Sequence, residues 1–255
     1  MEGASEMLAN KKTMLARVLL PLFGLAACVS AEPAADKKDS MFGSSKRTAG
    51  ALIGILYDFK QDQKRQKTPI DNKTFERAVA HFVESGYDEG LLNKYYRVPR
   101  ALYTTQLQIP TINANSAPKA FGVEKTVEPQ KWMVHYKGQI SAPEDGAYRF
   151  LGNSDDFVVV ALNGKTVLVA EMPGTPMGIK WAAKEAPPEH YQAAGDWINL
   201  RAGETVDIDI VTGESPGGYY RCMLAVQKQG GAVLPFQLTV SKETPAGTRP
   251  WRGIP

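Results

Sequence analysis

One stretch, residues 131–170, constrains the fold of this chain more than any other part of the sequence. Trp132, Val134 and Tyr136 fall on one side of a period-2 pattern, as in a strand with one face directed into a core. Turn-forming residues occupy 143–146, and extended structure resumes at Tyr148. The pattern predicts two neighbouring strands of an antiparallel sheet.

The second half of the same stretch predicts a buried hairpin. Phe157 to Leu162 is continuously apolar and rich in valine, which is typical of a strand covered on both faces. Asn163-Gly164 suits the positive φ values of a type I′ turn, and Lys165 to Val169 provides the returning strand. Ser154-Asp155-Asp156 lies just before this hairpin.

Two further elements can be placed outside this stretch. Val206, Ile208 and Ile210 alternate with two aspartates, which predicts a late strand with one dry and one wet face. The clearest helix follows residue 71, where apolar residues recur at i, i+3, i+4, i+7 and i+8; these are Phe75, Ala78, Val79, Phe82 and Val83. Asp71 or Asn72 is predicted to cap its start, and Gly86 to close its end.

The order of these pieces resembles the protective-antigen-type β-sandwich domain, which is named after an anthrax toxin component and occurs in yeast adhesins and bacterial glycosidases. The resemblance covers about residues 115–241 and rests on Tyr136-Lys137-Gly138, Pro143, Gly146 to Phe150, Ser154-Asp155-Asp156 and Asn163-Gly164. With the residue patterns, it indicates a mainly β chain: an antiparallel, jelly-roll-like β-sandwich carrying one N-terminal amphipathic helix.

The resemblance also implies a site. In the adhesin branch of the family, two adjacent aspartates joined by a cis peptide hold a calcium ion that binds sugar hydroxyls, and Asp155 and Asp156 match them. The adhesins add an asparagine from a later loop, but the comparable loop here, residues 212–218, has none. Glu214 is therefore the third candidate metal ligand, and Asn153 is a local alternative. A competing interpretation is that both aspartates only accept backbone hydrogen bonds in a tight turn.

Aromatic residues are the second component of a sugar site. Trp181 and Tyr191 lie in or beside a loop-rich stretch and are the candidates for stacking on a ligand. Trp132 and Trp197 lie in strand-like patterns and are predicted to be core residues. The pair Tyr95-Tyr96 is predicted to pack against the sheet.

The N-terminus has the features of an export signal. Basic residues precede an apolar run, Val18 to Val29, that is too short to span a bilayer, so residues 1–31 are predicted to be a signal peptide. Two processing sites remain open: a lipobox in which Cys28 is lipidated, or ordinary cleavage before Glu32. Either places the protein in the periplasm, on the outer membrane as a lipoprotein, or outside the cell, with membrane contact only through the lipid anchor.

The remaining chain divides into four predicted segments. Residues 32–48 have the polar bias of a flexible linker, and residues 49–114 form a strand-helix extension packed on the sandwich. Residues 115–241 are the β-sandwich, and residues 242–255 are a C-terminal tail.

Composition argues against several functions. The chain has 30 basic and 27 acidic residues, a net charge of +3, and no basic stripe, which argues against nucleic acid as a partner. Once the leader is removed Cys222 is the only cysteine, so it is predicted to be a buried, inert thiol. No nucleophile elbow, phosphate-binding loop, dinucleotide fingerprint or zinc motif is present, and we predict that the protein is not an enzyme.

The sequence therefore predicts an exported, non-catalytic binding module. Its first candidate ligand is a glycan held at the Asp155-Asp156 loop, with calcium as the candidate cofactor. The alternative is a structural or assembly protein of the cell envelope that uses the same loops to contact another protein.

Overall fold

The computed structural model describes residues 39–240 and 251–255, and β-strands dominate this part of the chain. The strands, in chain order, are β1 (Leu52–Asp58), β2 (Tyr96–Arg97), β3 (Leu102–Thr104), β4 (Gln108–Asn113), β5 (Trp132–Ser141), β6 (Gly146–Asp155), β7 (Phe157–Leu162), β8 (Lys165–Glu171), β9 (Ala193–Ala194), β10 (Ile198–Leu200), β11 (Val206–Glu214), β12 (Tyr219–Lys228), β13 (Val233–Pro235), β14 (Leu238–Thr239) and β15 (Trp251–Ile254).

Helical structure is confined to α1 (Asn72–Glu84), α2 (Ser116–Ala120) and a 3₁₀ turn (Glu89–Leu92) among the described residues. The predicted boundaries of α1 are confirmed. The Asp71 side chain accepts a hydrogen bond from the Thr74 N–H at 2.7 Å, and Gly86, with φ +76°, follows the end of the helix.

The strands form two sheets. The nine-stranded sheet has the order β14-β15-β5-β11-β7-β8, and β1 extends it by pairing with β2, β3 and β5. The six-stranded sheet has the order β10-β6-β12-β13, with β4 beside β12 and β9 beside β6. All pairings between named strands are antiparallel except that of β14 with β15. The predicted antiparallel β-sandwich is confirmed.

The two faces of the nine-stranded sheet are both covered. Trp132, Val134 and Tyr136 on β5 point into the core between the sheets, while Met133 belongs to a second apolar cluster. That second cluster lies against α1 and contains Phe75, Val79, Phe82 and Val83. Residues 157–162 contribute alternately to both clusters and are all buried, as their unbroken apolar run predicts.

One predicted strand is wrong. In the sequence, the alternation of Tyr103, Thr105, Leu107 and Ile109 predicts one face of a single strand that ends at Pro110. In the structure the chain changes sheet between β3 and β4, and Pro110 lies inside β4. The β4–β12 register shifts beside Pro110, between the pairs Tyr220–Ile112 and Cys222–Ile109. Proline, which lacks an N–H, is tolerated at such an irregular outer strand.

The ends of the described chain differ from the predicted linker and tail. Phe42 is only 1% exposed and stacks on Tyr220, and its carbonyl accepts a hydrogen bond from the Tyr136 hydroxyl at 2.9 Å. Trp251 on β15 is 7% exposed and contacts the rings of Tyr148, Phe150 and Phe236, while β15 pairs with β5. Each of these two segments is held against the core by one buried aromatic residue.

The predicted leader, including Cys28, lies outside the described residues. Within residues 39–240 and 251–255, no helix combines the length and apolar character needed to cross a bilayer.

Candidate functional site

Asp155 and Asp156 lie where the chain crosses from one sheet to the other. Asp155 ends β6 in the six-stranded sheet and pairs with Arg221, whereas Phe157 begins β7 in the nine-stranded sheet and pairs with Gly213. The peptide bond between the two aspartates is cis. Asp155 and Asp156 therefore form a corner of the sandwich, where the chain passes from β6 in one sheet to β7 in the other.

A second crossing meets the first at the same end of the sandwich. The loop 215–218 joins β11 in the nine-stranded sheet to β12 in the six-stranded sheet, and Glu214 is the last residue of β11. The Ser215 N–H donates to Asp156 Oδ2 at 2.7 Å, and the Asp156 N–H donates to the Gly213 carbonyl at 3.3 Å. The two crossings are thus tied together, and Glu214 lies beside the aspartates.

Glu214 is only half satisfied. One carboxylate oxygen, Oε1, accepts from the Gly217 N–H at 2.8 Å. The other, Oε2, is buried and has no hydrogen-bond partner among the described residues. Gly217 adopts φ +93°, a left-handed conformation that a side chain would strain, so the loop geometry that delivers this N–H favours glycine.

Burial disfavours the ionised forms of Glu214 and Asp156. Burial raises the pKa of Glu214 to about 9, with a further contribution from the charge of Asp156. Burial also raises the pKa of Asp156 to about 6; the Ser215 N–H opposes this shift, and Asp155 adds to it. Among the ion pairs of the described residues, none involves Asp155, Asp156 or Glu214. At neutral pH the fold therefore holds a proton on Glu214 unless a cation replaces it.

The donor set fits calcium in its chemistry. Asp155, Asp156 and Glu214 offer the hard carboxylate oxygens that this ion prefers, and the orphaned Glu214 Oε2 lacks the partner that a cation would provide. In the part of the chain that the structure describes, however, no three carboxylate, imidazole or thiol side chains are already arranged around one point as a metal centre. The carboxylates would have to move closer together to share an ion.

Asn153 lies on the same outer face of the six-stranded sheet as Asp155, two residues away along β6. Its Nδ2 donates to the His190 carbonyl at 2.6 Å, while its buried Oδ1 has no hydrogen-bond partner among the described residues. This bond holds the segment that leads into Tyr191. Asn153 therefore joins the residue before Tyr191 to β6, two positions from Asp155.

The tryptophan predictions have mixed outcomes. Trp132 is fully buried, as predicted. Trp197 was expected in the core, but it is half-buried on the surface, where the Arg149 guanidinium lies 4.4 Å from its ring and Glu185 accepts from its indole N–H at 3.2 Å. Trp181 is also half-buried and packs against the two main apolar clusters, which makes its ring a poor platform for a ligand. Around Trp181 and Trp197 the residue pattern predicts the local conformation, but it does not predict which other elements cover each tryptophan ring.

Tyr219 is an aromatic candidate that sequence reasoning missed. Its side chain is 67% exposed, and it is the first residue after the loop 215–218. The neighbouring Tyr220 is fully buried between the sheets, so the alternation along β12 turns Tyr219 outward. The signal was available in Gly217-Gly218-Tyr219-Tyr220, since only one of two adjacent strand residues can face the core.

Tyr95, Tyr191 and Cys222 are the remaining residues singled out above. Tyr95 is buried and stacks on Phe59 with ring centroids 4.1 Å apart, which confirms packing. Tyr191 is half-buried against a small apolar cluster of Leu151, Ala194 and Ala225 and keeps part of its ring accessible. Cys222 is buried, and burial raises the pKa of its thiol to about 11, as suits the predicted inert role.

Comparison with known proteins places this corner in a family. Residues 88–218 match the family described as the PA14 domain. The match begins within the predicted N-terminal extension, so the family pattern reaches further towards the N-terminus than residues 115–241. No curated protein matches the chain.

Several solved structures are similar to this one. The PA14 sugar-binding domain from an RTX adhesin is 14% identical, with 74% of this chain and 95% of that chain covered and a TM-score of 0.44. The PA14 domain of the MpAFP antifreeze protein is 14% identical, with coverage of 75% and 89% and a TM-score of 0.45. The epithelial adhesin 6 A domain from Candida glabrata, in complex with Galb1-3GlcNAc, is 12% identical, with coverage of 75% and 86% and a TM-score of 0.46. Because the family match spans just over half of the 255 residues, this chain belongs to the PA14 domain family, as the resemblance to protective-antigen-type domains predicts.

Proposed function

We propose that this protein is an exported, non-catalytic carbohydrate-binding module that uses the corner formed by Asp155, Asp156 and the loop 215–218. Family membership directs attention to glycans, since a PA14 domain of an RTX adhesin is described as sugar-binding. The observation that carries the proposal is the buried, unpartnered Glu214 Oε2 beside two further carboxylates and an exposed tyrosine. Carboxylate oxygens can hold a cation that binds sugar hydroxyls, and an exposed aromatic ring can stack on the apolar face of a sugar.

In this proposal the carboxylates act through calcium. Asp155, Asp156 and Glu214 would hold the ion, which supplies coordination for vicinal sugar hydroxyls. The unpartnered Asn153 Oδ1 would accept a hydrogen bond from the ligand. Tyr219 would stack on the apolar face of the sugar, in the role first assigned to Trp181, and Tyr191 would border the site on the outer face of the sheet.

Export and anchoring remain part of the proposal. The predicted leader sends the chain out of the cytoplasm, and lipidation at Cys28 or cleavage before Glu32 decides whether it stays on a membrane. Protein contact within the cell envelope is the competing use of the same corner. It becomes the better explanation if neither calcium nor a glycan binds there.

The test is unfolding of the protein with calcium and with a chelator, followed by glycan binding in calcium. A ligand that binds only the folded state raises stability by mass action, by about 2.7 kcal/mol when its concentration is a hundred times its dissociation constant. We expect calcium to stabilise the wild type, and Asp155→Asn, Asp156→Asn and Glu214→Gln each to reduce the gain. Glu204→Gln, at an exposed glutamate on another turn, is the matched control.

Glycan binding separates the two functions. Tyr219→Ala should weaken glycan binding while leaving the calcium-dependent stabilisation intact, since the ring is mostly exposed and contributes little to the core. Stabilisation by calcium that survives all three carboxylate substitutions would refute the assigned site. Absence of any glycan binding in a calcium-stabilised protein would refute the sugar role and leave a calcium-dependent contact with another protein.

A further inference from the structure

A second cleft lies at the same end of the sandwich as the carboxylate corner. It has a volume of about 420 Å³ and separates the loop after β1 from the segment that leads into β5. Its charged lining residues are Lys60, Arg65, Lys67, Glu128 and Lys131. The volume is within the range of small-molecule sites. The cleft uses none of the residues assigned to the proposed glycan site.

The two walls of the cleft are fixed to each other by a buried carboxylate. Asp58 is fully buried at the end of β1, and it accepts hydrogen bonds from the Lys60 N–H at 3.1 Å and from Gln61 Nε2 at 2.6 Å. Gln61 Nε2 also donates across the cleft to the Thr126 carbonyl at 2.7 Å, and Lys60 Nζ donates to Asp58 and to the Gln130 carbonyl. A ligand would therefore meet a preorganised wall and need not order it.

The charges inside the cleft are unequal. Lys60 is neutralised by Asp58, but Arg65, Lys67 and Lys131 take part in no ion pair among the described residues. Glu128 is the only acidic residue among the described residues that line the cleft. Three cations that form no ion pair in the described part of the chain line this cleft beside a single carboxylate, which favours binding of an anion.

Arg65 is held in a defined position. Its Nε donates to Gln61 Oε1 at 2.7 Å, and its guanidinium lies 4.1 Å from the centroid of the Tyr96 ring. The remaining donors of the guanidinium can still reach a ligand. Among the described residues only Nη2 has a further contact, a long one of 3.5 Å to the Thr126 carbonyl. An arginine fixed in this way recognises a planar carboxylate with two donors.

We propose that this cleft binds a small hydroxylated carboxylate, of which a uronic acid is the simplest sugar example. Arg65, Lys67 and Lys131 bind the carboxylate, and Glu128 accepts a hydrogen bond from a neighbouring hydroxyl. The negative charge of Glu128 also disfavours a compact dianion such as phosphate. The site is distinct from the calcium corner, although the two are neighbours: the Lys131 N–H donates to the Ser215 carbonyl at 3.3 Å.

The experiment is a calorimetric titration of the full chain with D-galacturonate, D-galactose and inorganic phosphate, each in the presence of a chelator. The chelator removes calcium-dependent binding, so failure here and failure of the proposed glycan site give different results. The variants are Lys67→Gln and Lys131→Gln. Lys165→Gln, at an exposed lysine next to the Asn163-Gly164 turn, is the control. Unfolding temperatures of all variants confirm that they are folded.

We expect galacturonate to bind, galactose not to bind, and each cleft variant to weaken galacturonate about tenfold, the size of one charge-assisted hydrogen bond. Raised salt should weaken binding, because Lys67 and Arg65 are exposed. No binding of galacturonate, equal binding of galactose, or equal weakening by Lys165→Gln would overturn the proposal. Tighter binding of phosphate than of galacturonate would also overturn it, since the cleft would then be a general anion site.

Discussion

Replacing Glu214 by glutamine should stabilise the protein at neutral pH when no divalent cation is present. Glu214 is only 1% exposed, and burial and the charge of Asp156 raise its pKa from 4.5 to about 9. The folded state therefore keeps a proton at pH 7 that the unfolded chain releases. Protonating the Glu214 carboxylate at pH 7, about two and a half units above its ordinary pKa, costs about 3 kcal/mol of folding free energy.

The sign of the pH dependence follows from the raised pKa. The contribution of Glu214 to stability is fully present below pH 4.5 and is lost as the pH rises towards about 9. Glutamine has nearly the same shape and no proton to take up. Its carbonyl can accept from the Gly217 N–H as Oε1 now does. The gain in unfolding free energy should thus be near zero at pH 4 and about 3 kcal/mol at pH 7.

Urea unfolding at pH 4 and pH 7 in a chelator measures this gain. Glu204→Gln, at an exposed glutamate, should change the unfolding free energy by less than about 0.5 kcal/mol at either pH. The same change for Glu214→Gln at both pH values, or destabilisation of the protein at pH 7, would contradict a raised pKa of Glu214 in the folded state. Adding calcium should reverse the advantage of glutamine if the corner holds an ion, because glutamine contributes no charge to it.

Three further predictions concern the stability of the fold. His135 is 2% exposed, and burial lowers its pKa, but Asp209, 2.8 Å from Nε2, and Glu89 outweigh burial and raise the pKa. The stability that protonated His135 contributes is therefore fully present below pH 6.5 and is lost as the pH rises above it. His135→Gln should cost about 1–3 kcal/mol at pH 6 and less at pH 9 in urea unfolding. Gly213→Ala should cost about 1–3 kcal/mol, because a Cβ there would lie 2.4 Å from the Trp132 carbonyl oxygen; an unchanged unfolding midpoint would contradict that contact. Trp251→Ala should cost about 3–5 kcal/mol, whereas a true tail would lose nothing.

The sequence predicted those strands whose own apolar pattern shows which of their faces are buried. The alternation of Trp132, Val134 and Tyr136 and the unbroken run from Phe157 to Leu162 each encode which faces are buried, because burial repeats along the element itself. The helix carries the same kind of information in its apolar stripe and its cap at Asp71.

What sequence did not predict depends on partners remote in the chain. Phe42 reads as part of a polar linker until Tyr136 and Tyr220, far away in sequence, form its pocket. The surface position of Trp197 follows from Arg149 and Glu185, which cover it from other elements. A single aromatic in a short segment has no period, so its burial cannot be inferred locally.

The candidate site has the same division. Asp155 and Asp156 were identified because their order before a buried strand resembles a family motif, but the state of Glu214 depends on how two crossings between sheets meet. Each crossing ends strand pairing, so backbone N–H groups such as those of Ser215 and Gly217 become free to hold carboxylates. These two N–H groups donate to one oxygen each, Asp156 Oδ2 and Glu214 Oε1, and Glu214 Oε2 has no hydrogen-bond partner among the described residues.

In the proposed calcium site, a cation supplies the partner that Glu214 Oε2 lacks in the described part of the chain. A further protein donor at Oε2 would remove the cost on Glu214. Among the described residues, however, no cationic side chain pairs with it, although Arg65, Lys67 and Lys131 form no ion pair at the same end of the sandwich. Burying the Glu214 carboxyl group with Oε2 unpartnered costs stability in the free protein, and a bound cation would recover this cost. We expect the corner to bind a cation together with sugar hydroxyls, and the cleft to bind a carboxylate. A single acidic oligosaccharide that reaches both sites would then bind more tightly with calcium than either fragment alone.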